Sequence, residues 1–170
     1  RQRQMCIRDS VITSSYDRTM KVWNGSECVR SIDLAQDEPH AVVCGERLVT
    51  ASGSTETIVT ATVMVWNTNG DHERTIHLDS YAGADDSSYV AALVALPDGV
   101  HFVVGLDWHD VRLYHVDGTL VHTFEGHNDR VSTVAVTRDG QHIISGSDDN
   151  LVKVWSVASK SLVSTCTGHT

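Results

Sequence analysis

Long hydrophobic runs and paired cysteines are both absent from this sequence of 170 residues. No apolar run approaches the roughly 18 residues of a membrane span, and no segment has the apolar core and small-residue cleavage site of a secretory signal. The four cysteines include no Cys-x-x-Cys pair. These absences predict a soluble protein of a reducing intracellular compartment, cytoplasmic or nuclear, with no membrane contact.

Basic residues are also scarce, because 13 Lys and Arg residues stand against 22 Asp and Glu residues and leave a net charge of −9. Most of the acidic excess lies between Asp71 and Asp110, where eight acidic residues accompany one basic residue. An acidic surface without a stripe of Lys and Arg repels phosphate backbones, so direct nucleic-acid binding is not expected. The segment is either a solvated acidic surface or a patch that attracts a basic protein.

Motifs that carry catalysis or metal binding are missing as well. Ten histidines are spread along the chain without a His-Glu-x-x-His motif or a pairing with cysteine. Gly53, Gly70 and Gly83 are isolated, as turn glycines are, and do not form a phosphate-binding loop. We therefore expect no catalytic residue, metal, cofactor or small-molecule substrate, and a protein that is not an enzyme.

The most regular stretch of the sequence runs from Gly126 to Trp155 and predicts an antiparallel meander. A β-rich run with alternating residues, 131–136, stops at Asp139-Gly140, a pair suited to the positive φ angles of a tight hairpin. A second short strand and the turn residues 148–150 follow. The third, apolar strand ends at Trp155.

This stretch resembles a repeat of the WD-repeat β-propeller family, whose signature is Gly-His near the start and Trp-Asp near the end. Ser156 stands where the family name would place Asp. The resemblance implies an all-β fold, a partial propeller built of four-stranded antiparallel blades. It also implies a hydrogen-bonded structural tetrad in the blade, formed here by His127, Ser145, Asp149 and Trp155.

The same residue types permit a second interpretation, because Ser, His and Asp are also the parts of a nucleophilic triad. Ser145, however, lies inside an apolar-flanked strand without the Gly-x-Ser-x-Gly elbow that exposes a nucleophile. A buried carboxylate such as Asp149 is tolerated only where several donors point at it. We therefore expect the tetrad to be structural.

Worn copies of this unit fill the rest of the chain. Their key aromatic residues are 43, 48 and 41 residues apart, close to the roughly 40 to 45 residues of a propeller blade. In chain order these aromatic residues are Trp23, Trp66, Tyr114 and Trp155. The first copy keeps a partial tetrad at the spacing of the best copy, consisting of Thr13, Asp17 and Trp23.

The second and third copies depart further from the pattern. An insertion between Thr50 and Trp66 displaces the tetrad acid and offers only Glu56, so this tetrad is expected to be broken. In the third copy, Val104 takes the place of Ser145. Outer, fourth strands are expected between the copies, at 28–32, 74–78, 120–124 and 162–166.

The sequence begins inside one repeat, and Thr167-Gly168-His169 resembles the start of another, so a fragment of about four blades is expected. Its expected divisions are a non-native or disordered leader (1–9), the second half of a blade (10–24), a blade with an insertion at 52–62 (25–67), a degenerate blade with an insertion at 79–88 (68–115), a well-matched repeat (116–158), and an outer strand with the start of a further repeat (159–170).

A propeller presents loops around a rigid disc, so the resemblance implies a scaffold or adaptor that binds other proteins or peptides. The alternative is a substrate-recruiting module of a larger enzyme or regulatory protein whose active part lies outside this sequence. Both insertions are expected on one loop face, where a negative rim with an aromatic anchor suits a basic peptide. The candidate partner-binding residues are turn and rim side chains of that face: Tyr16, Glu56, Asp85, Asp86, Trp108, Arg130, Ser132 and Asp148.

Overall fold

A computed structural model describes residues 3–7, 10–15, 17, 19–24, 26–33, 40–52, 61–78 and 89–169. These residues form sixteen β-strands in four antiparallel sheets of four strands each, and none of them lies in a helix, so no helix among them could cross a membrane. The predicted all-β fold of four-stranded blades is confirmed. The chain divides into two compact units, Arg1–Tyr89 and Val90–Thr170.

The first unit contains two sheets. Its first sheet consists of β1 (Arg3–Ile7), β2 (Ser10–Ser14), β3 (Thr19–Asn24) and β4 (Glu27–Asp33). Its second sheet consists of β5 (His40–Cys44), β6 (Arg47–Ser52), β7 (Thr62–Asn67) and β8 (His72–His77). Apolar side chains of the two sheets form one buried cluster, to which Ile12, Met20, Val22, Ala41, Leu48 and Trp66 contribute.

The second unit repeats this arrangement. Its first sheet consists of β9 (Val90–Ala95), β10 (His101–Leu106), β11 (Val111–His115) and β12 (Leu120–Phe124). The next sheet consists of β13 (Val131–Val136), β14 (His142–Ser147), β15 (Leu151–Ser156) and β16 (Ser161–Thr167). Phe124 of β12 packs against Trp155 of β15 between these two sheets, with ring centroids 5.6 Å apart.

Gly105 sets how closely these two sheets approach. A Cβ atom at this position would lie 3.0 Å from Cγ1 of Val131 and 3.1 Å from Cγ1 of Val134. A side chain at this position would therefore require the β13 valines to shift by a few tenths of an ångström. The predicted hairpin turns are also confirmed, since Gly99 and Gly140 adopt φ angles of 73° and 70°.

One register is common to all four sheets. In each sheet, the residue at the tetrad serine position of the second strand pairs with the residue two positions before the key aromatic residue of the third strand. These pairs are Thr13 with Lys21, Thr50 with Met64, Val104 with Arg112, and Ser145 with Lys153. Every outer strand also has a register shift beside that aromatic residue. The four copies are therefore equivalent in backbone geometry, even where their side chains differ.

Two expectations about boundaries need revision. We expected residues 1–9 to lie outside the repeats, but Arg3–Ile7 pairs with β2 as an ordered strand of the first sheet. Strand pairing uses backbone groups, so it does not require the apolar alternation that this segment lacks. Whether residues 1–9 are native sequence stays a prediction.

The sheets are also offset from the sequence repeats. Each of the divisions 25–67, 68–115 and 116–158 contributes its first strand to one sheet and its other three strands to the next. The expected outer strands are confirmed as β4, β8, β12 and β16, each at the edge of its sheet. A strand of one sequence repeat thus completes the sheet of the preceding repeat.

Candidate functional site

The most connected polar site among the described residues is a buried network at one end of the last sheet. His127 lies four residues before β13, Ser145 lies in β14, Asp149 lies in the turn that follows, and Trp155 lies in β15. His127 Nε2 lies 2.8 Å from Ser145 Oγ, and His127 Nδ1 lies 2.9 Å from Asp149 Oδ2. The indole N–H of Trp155 donates to Ser145 Oγ at 2.8 Å.

Chemistry fixes the direction of two of the three hydrogen bonds in this network. An indole N–H can only donate and an ionised carboxylate can only accept. Ser145 therefore accepts from Trp155, and His127 Nδ1–H donates to Asp149. Ser145 Oγ and His127 Nε2 share the third hydrogen bond of the network.

Asp149 connects the network to the backbone. Its Oδ2 also accepts the amide of Asn128 at 3.0 Å, and its Oδ1 accepts the amide of Leu151 at 2.9 Å. Burial raises the pKa of Asp149, but the Asn128 amide, the His127 ring and the Leu151 amide outweigh it and lower the pKa to about 2. The carboxylate is thus ionised while its side chain is only 7% exposed.

The burial of this site bears on the nucleophile interpretation. Ser145 has no exposed surface, and the His127 side chain is 0% exposed. Ser145 Oγ also accepts the indole N–H of Trp155, a partner that a nucleophilic triad does not include. A nucleophile needs a lone pair that a substrate can reach, so this geometry favours a structural role.

The first sheet contains part of the same arrangement. The indole N–H of Trp23 donates to Thr13 Oγ1 at 2.8 Å. Asp17 accepts from the amide and the hydroxyl of Thr19 at 3.0 and 2.7 Å, and these bonds lower its pKa. Asp17 is exposed, however, and no histidine among the described residues joins it. The three predicted residues therefore form a Thr–Trp pair and a separate turn.

The second sheet preserves a pair that the sequence analysis did not anticipate. The indole N–H of Trp66 donates to Thr50 Oγ1 at 3.0 Å, and both residues are buried. The sequence did not indicate this pair, because inserted residues place Thr50 and Trp66 16 positions apart instead of 10. The two strands nevertheless pair in the common register. The position of Glu56, the residue offered as a substitute acid, lies outside the described residues.

The third sheet replaces the polar network by aromatic and apolar side chains. Tyr114 stacks on Phe102 with ring centroids 5.7 Å apart, while Val104 is fully buried. By the common register, Trp108 takes the position of Asp149, four residues after Val104. The residue that follows has a positive φ in both turns, 83° at His109 and 66° at Asn150.

This placement corrects the expectation that Trp108 is an exposed anchor. Trp108 is half-buried, and the guanidinium of Arg112 lies 5.5 Å from the centroid of its ring. Arg112 also pairs with Asp110 at 3.2 Å. The buried atoms Trp108 Nε1 and Arg112 Nε make no hydrogen bond. A cation–π contact thus occupies the place of the carboxylate network.

Three of the candidate partner-binding residues lie together beside the tetrad of the last sheet. Arg130 precedes β13, and its carbonyl accepts the amide of Asp148 at 3.0 Å. Ser132 donates its hydroxyl to the carbonyl of Gly146 at 3.2 Å. Asp148 and Ser132 are exposed, whereas Arg130 is half-buried. Tyr16, Asp85, Asp86 and most of both insertions lie outside the described residues.

A protein-family comparison matches residues 118–156 to the family described as WD domain, G-beta repeat. The match begins just before β12 and ends with β15, so it contains all four tetrad residues.

Curated relatives match this chain either over most of its length at low identity or over less than half of it at somewhat higher identity. Mouse striatin (Mus musculus) is 20% identical over 165 residues, which cover 94% of this chain and 21% of striatin. The COMPASS component SWD3 of Saccharomyces cerevisiae is 32% identical over 73 residues, covering 43% of this chain and 23% of SWD3. This chain therefore spans about a fifth of the length of the curated relatives it matches.

A solved structure gives the same fold. The WD40 β-propeller domain of Doa1 matches with a TM-score of 0.73 and 24% identity, over 97% of this chain and 52% of that chain. At this identity the likeness concerns the fold alone.

Proposed function

We propose that this chain, which is a WD-repeat protein with blades of the β-propeller fold, serves as a scaffold that presents binding loops to partner proteins. WD-repeat proteins are generally interaction scaffolds, and the matched SWD3 is by its name a component of the COMPASS assembly. The intracellular compartment inferred from the free cysteines belongs to the same proposal.

The observation that carries this proposal is the rigid support beneath an exposed loop surface. The tetrad joins the segment before β13 to the turn after β14, and the Asp148 amide adds a bond to the Arg130 carbonyl. Ser147 adds another, donating its hydroxyl to the Asp129 carbonyl at 2.9 Å. Because these segments are fixed before binding, this chain loses less conformational entropy when a partner docks.

A basic partner peptide fits the charge of this surface best. The chain carries a net charge of −9, and Asp148 and Asp129 are exposed beside the tetrad. The predicted acidic rim also includes Asp85, Asp86 and Glu56, which lie outside the described residues. Opposite charges raise association rates and weaken with salt. Trp108 contributes less than an exposed anchor would, because Arg112 already covers part of its ring.

The alternative, a substrate-recruiting module of a larger enzyme or regulatory protein, uses the same surface. It is favoured by the small share of the relatives' length that this chain spans, since their remaining residues leave room for other domains. Both candidate functions therefore predict that partners bind the loops beside the tetrad. They differ in whether the full protein also contains an enzymatic or regulatory domain.

Quantitative pull-down from cell extract tests the scaffold proposal. We expect Asp148→Lys and the double variant Asp85→Lys/Asp86→Lys to lose partners that the unmodified chain retains, with larger losses at low salt. Glu27→Lys is a charge-matched control, because Glu27 is exposed at the start of β4, far along the chain from the proposed rim. Equal partner sets for all four proteins would refute the assignment of this surface.

A further inference from the structure

The end of the second unit away from the tetrad contains a groove between two hairpin turns. One turn joins β9 to β10 and the other joins β13 to β14. The groove has a volume of about 340 Å³, within the range of sites that hold a side chain or a small ligand. Its lining residues are Leu96, Pro97, Asp98, Arg138, Asp139, Gly140 and Val157.

The floor of this groove is apolar and continuous with the core. Leu96 is 4% exposed and belongs to the buried cluster of the unit, against which Val157 packs. Pro97 is exposed on one wall. Gly140 allows the two turns to approach, because a Cβ atom there would lie 3.0 Å from Cγ of Pro97. The groove is therefore a built feature of the packing between the two sheets.

Two carboxylates lie on the rim, and they differ in how far their oxygens are used. Asp98 Oδ1 accepts the amides of Val100 and His101, and its Oδ2 lies 2.6 Å from Nδ1 of His101. Among the described residues, Asp139 accepts hydrogen bonds only through Oδ1, from the Thr137 hydroxyl at 2.6 Å and the Gln141 amide at 3.0 Å. With respect to these residues, Oδ2 of Asp139 is left for a ligand.

The charge state of Asp139 suits a cationic ligand. The Thr137 hydroxyl and the Gln141 amide lower the pKa of Asp139, so the carboxylate is ionised at neutral pH. Arg138 is exposed and forms no hydrogen bond or ion pair with the described residues, which leaves its flexible guanidinium able to turn into solvent. Two carboxylates against one guanidinium leave the rim negative, as is the whole chain.

We propose that this groove binds a partner peptide that inserts one apolar side chain between the hairpins and places a neighbouring lysine or arginine at Asp139. The apolar side chain contacts Leu96, Pro97 and Val157, and its removal from water supplies most of the affinity. The cation supplies selectivity, since an exposed ion pair adds little free energy. This inference deepens the proposed scaffold function by adding a second binding surface at the opposite end of the sheets.

Chemical-shift titration of the isotope-labelled 170-residue chain tests the groove. The probes are three acetylated and amidated tetrapeptides with the sequences Gly-Leu-Lys-Gly, Gly-Leu-Glu-Gly and Gly-Ala-Lys-Gly. We expect the first peptide to shift the amides of the two hairpins and of Val157. The alanine peptide should bind more weakly because it buries less apolar area, and the glutamate peptide should bind about two- to fivefold more weakly because it meets the carboxylates.

Asp139→Asn gives the sharper comparison, because an asparagine carbonyl can still accept the Thr137 and Gln141 bonds while the charge is removed. We expect this variant to bind the lysine peptide about two- to fivefold more weakly and to lose the preference over the glutamate peptide. Glu125→Gln, at an exposed position directly after β12 of the same unit, is the matched control and should change neither. Val157→Ser should weaken the two leucine peptides equally.

Two outcomes would overturn this inference. Absence of hairpin shifts with all three peptides would remove the groove as a binding site, and equal binding of the glutamate peptide would remove the basic partner. Neither outcome touches the scaffold proposal, whose pull-down depends on Asp148 and the tetrad end. If Asp148→Lys loses partners and none of the peptides shifts the hairpin amides, the groove proposal fails while the scaffold proposal stands.

Discussion

Trp66 donates its indole N–H to Thr50 across 16 residues of sequence, whereas Trp155 makes the same bond to Ser145 across 10. The two pairs occupy the same register of their sheets, with Thr50 opposite Met64 and Ser145 opposite Lys153. Strand pairing therefore restores a contact that an insertion hides in the sequence.

The Thr50–Trp66 pair predicts the effect of removing one hydroxyl. Thr50→Val keeps the shape of the side chain but leaves a buried indole donor unpaired, which costs about 1 to 3 kcal/mol. Hydrogen exchange of the β6 and β7 amides should show this loss as faster local opening. Thr133→Val, on an exposed position of β13, is the matched control and should leave exchange unchanged. Equal protection in both variants would mean that the bond contributes nothing.

The tetrad predicts a stability loss that depends on hydrogen bonding more than on volume. His127→Ala or Asp149→Ala should destabilise the last sheet by about 1 to 3 kcal/mol, because each leaves buried groups unsatisfied. Asp149→Asn should lose a similar amount, since its amide nitrogen cannot accept the donors that face the carboxylate. Urea unfolding measures these differences. An Asp149→Asn variant with the same free energy of unfolding as the unmodified chain would contradict the hydrogen-bond explanation.

Ser145→Ala separates the structural role from the nucleophile interpretation. We expect it to lower stability, because Trp155 Nε1 and His127 Nε2 both lose their partner. The measurement pairs urea unfolding with assays of ester and peptide hydrolysis. Hydrolysis by the unmodified chain that disappears in Ser145→Ala without a loss of stability would restore the catalytic interpretation.

Asp149 also predicts how stability depends on pH. Its pKa is lowered to about 2 from a usual value of 3.8, so its contribution is present above about pH 4 and is lost as the pH falls toward 2. At roughly 1.4 kcal/mol per pKa unit, the loss amounts to about 2 kcal/mol. Other lowered Asp residues add to the same trend, so the informative quantity is the difference between the unmodified chain and Asp149→Asn. That difference should shrink across this window.

Trp108 predicts an asymmetry between two substitutions. Trp108→Phe keeps an aromatic face for Arg112 and removes an indole N–H that has no hydrogen-bond partner, so it should change stability by less than about 1 kcal/mol. Trp108→Ala removes the ring. A fully buried ring would cost about 3 to 5 kcal/mol of stability, and the half-buried Trp108 ring should cost less than this. A large loss in Trp108→Phe would show that the indole nitrogen has an acceptor in the folded protein.

Much of the fold was determined by the sequence alone, because its signals are local. Apolar alternation and β-branched residues mark the strands, and Asp139-Gly140 marks a hairpin whose positive φ only a few residues tolerate. The spacing of Trp23, Trp66, Tyr114 and Trp155 gave the repeat period, and the family match over residues 118–156 agrees with it.

The chemistry of each copy was decided by tertiary structure, because it depends on partners that sequence spacing does not identify. Thr50 reaches Trp66 only through strand register, and Trp108 meets Arg112 only because the turn places its ring where another copy holds a carboxylate. The groove beside Asp139 exists because two sheets bring Gly140 against Pro97. Local propensity set the strands and turns of this protein, whereas packing between strands and sheets set which side chains meet.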